Sequence, residues 1–248
     1  MELIKWVYDK TRIYKDISRG EEVLMKEDIL EQVAEDYYSK RVGCFTKHNI
    51  KYRPSKEEPT YIAKYNSVHS DIDLIIVDTH RRNKIITVSC KSWQGGFNIS
   101  KFKNTLENAL NNQPIKTTGK RDDWCAFREL CIHRWTNSFL KILRNVLNSV
   151  DTQEIEIELE YVILCTKITK ESLKHKGDFE NSEAIKKYFK QKKVNLKLKV
   201  ITIDEMITEI LKNMNEKDTP YVENTHLSRT LQLMIASGMK FKNTPNIE

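Results

Sequence analysis

Residues 69–93, HSDIDLIIVDTHRRNKIITVSCKSW, constrain the chain more than any other stretch. Two short apolar runs, 72–77 and 85–90, flank a polar, basic break. Ile, Val and Leu fill both runs, so the stretch predicts a β-hairpin. A loop over residues 79–83 pairs Asp78 with Lys84, Asp73 with Ser89 and Asp71 with Lys91. Side chains alternate faces along a strand. This register therefore gathers Asp71, Asp73, Ser89 and Lys91 on one face, and Ile72, Leu74, Ile76, Ile86, Val88 and Cys90 on the other. A slip of one residue would undo the match, because it turns every side chain over.

Two carboxylates beside an amine suit a hard divalent cation. Mg²⁺ takes oxygen ligands, keeps several waters, and often has only one or two protein carboxylates plus phosphate oxygens. Such an ion polarises a phosphoryl oxygen and lowers the pKa of a bound water. A neighbouring lysine can orient that water or offset charge growing on the phosphate. The same spacing also fits a half-buried hairpin with a solvated polar face, on which Asp71–Lys91 is a surface ion pair of little value. Spacing alone leaves both readings open.

SDIDLIIVD followed by TVSCKSW resembles the PD-(D/E)XK nuclease superfamily. Its pattern is an Asp on one strand, then an acid–any–Lys triplet on the next, antiparallel strand. Asp73 matches the first Asp and Lys91 the Lys. Ser89 stands where the second acid is expected. One branch of restriction enzymes has Ser-any-Lys here and moves the acid to the following helix, where this chain offers Glu107. Related nucleases often bring a glutamate from the first helix to the metal, and Glu31 in ILEQVAEDYY matches that local pattern. The resemblance thus implies an α/β (α+β mixed) fold, with a central mixed β-sheet flanked by helices and a restriction-endonuclease-like core. It implies Asp73, Lys91, Glu107 and Ser89 at the catalytic centre, and Mg²⁺ held by Asp73 with Glu107, Asp71 or Glu31.

At 248 residues the chain is long enough for one full core. A net charge of +7 fits a polyanionic partner without demanding one. No apolar run approaches the ~20 residues that span a bilayer, and the first residues lack the apolar core of a signal peptide. The five cysteines form no Cys-x-x-Cys pair, which argues for reduced thiols and a cytoplasmic protein. Cys125, Cys131 and His133 match no common structural zinc spacing.

Around the hairpin, apolar spacing predicts a helix over 21–41, with Val23, Leu30, Val33, Ala34 and Tyr37 on its stripe. Short strands follow at 44–46 and 61–65, with a basic loop between them. A helix from about Ser100 is capped by Asn98 or Ser100 and carries Phe102, Leu106, Ala109 and Leu110 inward. Residues 123–150 read as one long helix carrying Trp124, Phe127, Cys131 and Trp135. Residues 154–165 read as a strand whose four glutamates form an exposed row before Val162–Leu164 turn fully apolar. A helix near 182–191, a strand at 194–203, a helix over 205–214 capped by Asp204, and a last helix over 226–237 complete a single domain, 1–248. Residues 121–150 are a helical elaboration of it.

Gln94, Gly95 and Gly96 follow the lysine, and the glycines let backbone lie close to a phosphodiester. Arg121, Arg128, Arg134 and Asn137 are further candidates for DNA contact, though taken singly each fits ordinary surface better. Eleven lysines against four acids in 167–199 would neutralise phosphates without reading bases. The expected activity is therefore that of a Mg²⁺-dependent type II restriction endonuclease acting on double-stranded DNA. It would work as a homodimer, since protein symmetry mirrors palindromic sites, with a DNA methyltransferase as a genetic partner only. The alternatives are another nuclease of the superfamily, in repair, recombination or RNA cleavage, and a non-catalytic DNA-binding protein on a degenerate nuclease fold.

Overall fold

The computed structural model describes residues 29–39, 41, 43–111, 126–147, 156–215 and 225–239. Within them the apolar runs become five strands of one mixed sheet: β1 (Cys44–Tyr52), β2 (Ser70–Asp78), β3 (Lys84–Lys91), β4 (Ile157–Cys165) and β5 (Val194–Thr202). Their order in space is their order in sequence. The first three are antiparallel neighbours, while β4 and β5 join in parallel. Parallel neighbours need crossover connections, and helices supply them. α1 (Ile29–Ser39) precedes the sheet and α2 (Ala63–Asn66) links β1 to β2. α3 (Ile99–Leu110) and α4 (His133–Val146) join β3 to β4, and α5 (Lys176–Glu180) and α6 (Glu183–Lys190) join β4 to β5. α7 (Ile203–Asn215) and α8 (His226–Ala236) follow.

The sheet divides the core into two layers. On one face Ile75, Ile85, Leu159, Tyr161, Ile163 and Leu198 pack against Leu106, Trp135, Phe139 and Phe189 of α3, α4 and α6. On the other, Leu74, Ile76, Ile86, Val88, Val162 and Leu164 meet Leu30, Val33 and Ala34 of α1, Met206 and Ile210 of α7, and Leu231 of α8. A strand covered on both faces loses its alternation. Hence β4 is buried everywhere except at Glu158.

The hairpin register is the expected one: Leu74, Ile75, Ile76 and Val77 pair with Val88, Thr87, Ile86 and Ile85. The expected separation of faces is corrected at one point. Ile72 packs with Ile75, not with Leu74 and Ile76. Asn49, which lies between the pairs His48–Leu74 and Ile50–Ile72, has φ of 52°. Beyond that left-handed residue, Ile50 and Tyr52 of β1 also join the layer of Ile75. The alternation that would align Asp71 with Asp73 therefore does not run through Asp73.

Other expectations are also corrected. Residues 61–65 are not a strand, since α2 begins at Ala63. β1 takes that place in the sheet by running to Tyr52, through the first part of the expected basic loop. The long helix expected over 123–150 begins at His133, after a 3-10 turn at Arg128–Leu130 whose preceding residue, Phe127, has φ of 64°. The row of exposed glutamates is broken at Glu160, which is buried and pairs with Lys199 at 2.6 Å. Asn98 caps α3, its side chain accepting from the Lys101 N–H. Asp204 does not cap α7. Instead the Thr202 hydroxyl accepts from the Glu205 N–H, and a Glu205 carboxylate oxygen accepts from the Thr202 N–H, a reciprocal capping box. Cys44, Cys90, Cys131 and Cys165 are free thiols. Among the described residues no helix is long and apolar enough to cross a membrane. The start of the first expected helix, Arg121, Trp124, Cys125 and Glu154 lie outside the described residues.

Candidate active site

β2 and β3 bring Asp73 and Lys91 together. The ammonium lies 3.6 Å from Asp73 Oδ2. The same oxygen accepts a 2.6 Å bond from the Cys90 N–H, and Lys91 donates to the Cys90 carbonyl at 3.1 Å. Both side chains are largely but not wholly buried, Asp73 13% and Lys91 23% exposed. An aromatic stack follows the lysine: Trp93 and Phe102 have ring centroids 5.2 Å apart, and Phe97 and Phe102 5.1 Å. Phe127 closes that stack edge-on and lies 5.6 Å below the Lys91 ammonium, a cation–π contact.

Burial pushes the Asp73 carboxyl above its usual value. Lys91 and the Cys90 amide oppose the shift, and the charges of Asp71 and Glu129 add to it. Removing water disfavours the anion, and like charges disfavour it further. A divalent cation would reverse both effects. Asp73 is thus a hard oxygen donor in a field that a cation relieves, and one or two carboxylates suffice for Mg²⁺ when waters and phosphate complete its shell. The residues present fit such an ion, with Asp73 as the protein ligand and Asp71 and Glu129 as supporting charge. Among the described residues no three His, Cys, Asp or Glu side chains form a complete ligand set.

Glu129 is the site residue that sequence reasoning missed. It is buried in the 3-10 turn before α4. Its carboxylate accepts from the Tyr161 hydroxyl and, at 3.4 Å, from the Tyr52 hydroxyl. Burial, then the charge of Glu129, holds both phenols well above their ordinary range, so they remain protonated donors. Ser89 lies beside this network, and its hydroxyl opposes the upward shift of the Tyr161 phenol. Near the serine in the acid's expected position, Tyr161 thus holds a carboxylate from a distant turn.

Glu107, Glu31 and the basic candidates are engaged by other elements, while Asp71 and the Gln94–Gly96 turn lie near the pair. Glu107 accepts from the Ser182 hydroxyl at 2.7 Å and lies 3.6 Å from Lys103, so α6 and its own helix engage it. Glu31 is buried in α1 and accepts from Asn49 at 3.4 Å; Asn49 is the residue across from Asp73. Asp71 is exposed near the start of β2. Gln94 and Gly95 are exposed in the turn after Lys91, and Gly96 has φ of 91°. The Arg128 guanidinium stacks 3.3 Å from the centre of the Trp135 ring. Arg134 sits in the first turn of α4. Asn137 bridges Glu58, at 3.2 Å, and Lys192, at 2.8 Å.

Comparison of the sequence with protein-family models and with curated proteins, and of the fold with solved structures, returned no match.

Proposed function

We propose that this chain is a Mg²⁺-dependent type II restriction endonuclease, hydrolysing phosphodiester bonds of double-stranded DNA at a specific site on a PD-(D/E)XK-like core. The observation that carries this reading is the Asp73–Lys91 pair, held at 3.6 Å on adjacent antiparallel strands. The element order around it, α1, then three antiparallel strands, α3 and a parallel strand, supports the same reading. When bound, Mg²⁺ would polarise the phosphoryl oxygen and lower the pKa of a bound water. Asp73 holds the ion. Lys91 orients the attacking water and stabilises charge on the phosphate as the 3′ oxygen leaves. Glu129, fixed by two phenols, supplies negative charge behind Asp73 in place of the acid absent at Ser89. A homodimer would present two such centres to a palindromic site.

The test is digestion of a fully sequenced DNA with Mg²⁺. Wild type should give discrete fragments, and Lys91→Ala and Asp73→Ala should each cut at least about a hundredfold more slowly, the scale of losing one electrostatic stabiliser. Undiminished cleavage by both variants would remove the assignment. A second reading, a non-catalytic DNA-binding protein on the same fold, is favoured by the serine at position 89, where an acid is expected. Binding of DNA without any cleavage by wild type would select it.

A further inference from the structure

Two residues past the end of the strand beside Lys91 stands a lysine that the reading above does not use. β3 and β4 run parallel, with Lys91 paired to Cys165, so both strands end on the same edge of the sheet. Three bonds then tie the chain beyond Cys165 to the turn beyond Lys91. The Thr166 hydroxyl donates to the Trp93 carbonyl at 2.7 Å, the Phe97 N–H to the Lys167 carbonyl at 2.7 Å, and the Thr169 N–H to the Phe97 carbonyl at 3.1 Å. Lys167 is exposed, and its stem lies over Gly96: a Cβ there would meet Lys167 Cγ at 3.1 Å. Gly95 beside it faces open space, with nothing within 4 Å of a Cβ.

The charge of Lys167 is available. In the same basic stretch Lys176 and Lys199 are paired with Glu205 and Glu160. Among the described residues no carboxylate pairs with Lys167. Its backbone lies one strand over and two residues on from Lys91, about 8 Å by strand geometry. A nucleic-acid strand carries one phosphate per about 3.4 Å of axial rise, so this offset points past the phosphate at the Asp73–Lys91 pair to one flanking it, one or two positions along the strand.

We propose that Lys167, braced over Gly96, and the open Gly95 turn form a subsite for a phosphodiester flanking the one positioned by Asp73 and Lys91. This rests on the nuclease reading and deepens it. Lys167 acts as a positioning residue: it neutralises one backbone phosphate and reads no base. Gly95 gives the backbone room to approach.

The experiment measures binding of a duplex carrying a mapped cleavage site, by fluorescence anisotropy with Ca²⁺ in place of Mg²⁺, at a series of salt concentrations. Wild type, Lys167→Ala, Lys167→Arg, Gly95→Ala and Lys187→Ala are compared, the last an exposed lysine of α6. Loss of one phosphate contact should flatten the slope of log K against log salt by about 0.9 in Lys167→Ala, with weaker binding, and Arg should restore both. Gly95→Ala should weaken binding with its fold unchanged by circular dichroism. Wild-type slope and affinity in both Lys167→Ala and Gly95→Ala, alongside normal wild-type cleavage, would remove the subsite and leave the nuclease intact. An equal effect from Lys187→Ala would reduce the lysine to bulk charge and also overturn the subsite. A wild type that neither binds nor cuts DNA would remove both readings.

Discussion

Asp73 carries the clearest conflict between folding and chemistry. Its pKa is raised in the folded chain above the usual 3.8, first by burial. Between the unfolded and folded values the native state therefore binds more protons, so stability falls as pH rises through that window. The favourable contribution is complete only below 3.8. Asp73→Asn keeps an oxygen for the Cys90 N–H and removes the buried charge, so it should melt at a higher temperature than wild type at neutral pH. Calorimetry should find the gap closing as pH falls toward 3.8; an Asn variant that melts lower at pH 7 would contradict this account. Glu129 adds to the same shift through its charge. Glu129→Gln still accepts from Tyr161 and should lower the Asp73 titration midpoint, read from the side-chain carboxyl signal by NMR. An unmoved midpoint would mean that Glu129 is only a structural partner of the two phenols.

Elements with one dominant period were legible, and those shaped by distant partners were not. The capping box of α7 was misread because Asp204 is as good a local cap as Thr202, and only the reciprocal bond with Glu205 decides between them. Thr202→Ala should cost about 1 kcal/mol, the usual loss for a cap, while Asp204→Ala should cost far less; equal losses by urea titration would refute the assignment. The hairpin register could be read because its two apolar runs admit one loop that keeps both in the core. The local switch of faces could not, because it depends on a left-handed Asn49 in a third strand. Glu129 was hidden for a similar reason. In one continuous helix it lies about 200° round from Phe127, on the opposite side from the apolar stripe. The 3-10 turn that carries it follows the left-handed Phe127, held in the Lys91 aromatic stack. Glu107 looked suitable by spacing alone, yet Ser182, seventy-five residues on, engages it.

At the scale of the whole molecule, the sheet is a partition shared by two apolar layers. Leu74 and Ile75 are neighbours in β2, both with no exposed area, yet they belong to opposite layers. The layers cannot come apart separately without exposing the common strands, which predicts one cooperative transition. Among the described residues Trp93 and Trp135 lie in the layer of Ile75, so with Trp6 and Trp124 replaced by Phe tryptophan fluorescence reports that side, while far-UV circular dichroism reports helices of both. Leu74→Ala empties space on the other side, facing α1 and α7, and should cost about 2–5 kcal/mol. Because β2 is common to both layers, that loss should move the fluorescence and dichroism midpoints in urea together and by the same amount. A fluorescence transition that stayed at its wild-type midpoint while dichroism shifted would mean that the layers unfold independently. Asp73 and Lys91 would then rest on the stability of one layer alone, and variants of α1 could weaken the protein without disturbing the candidate site.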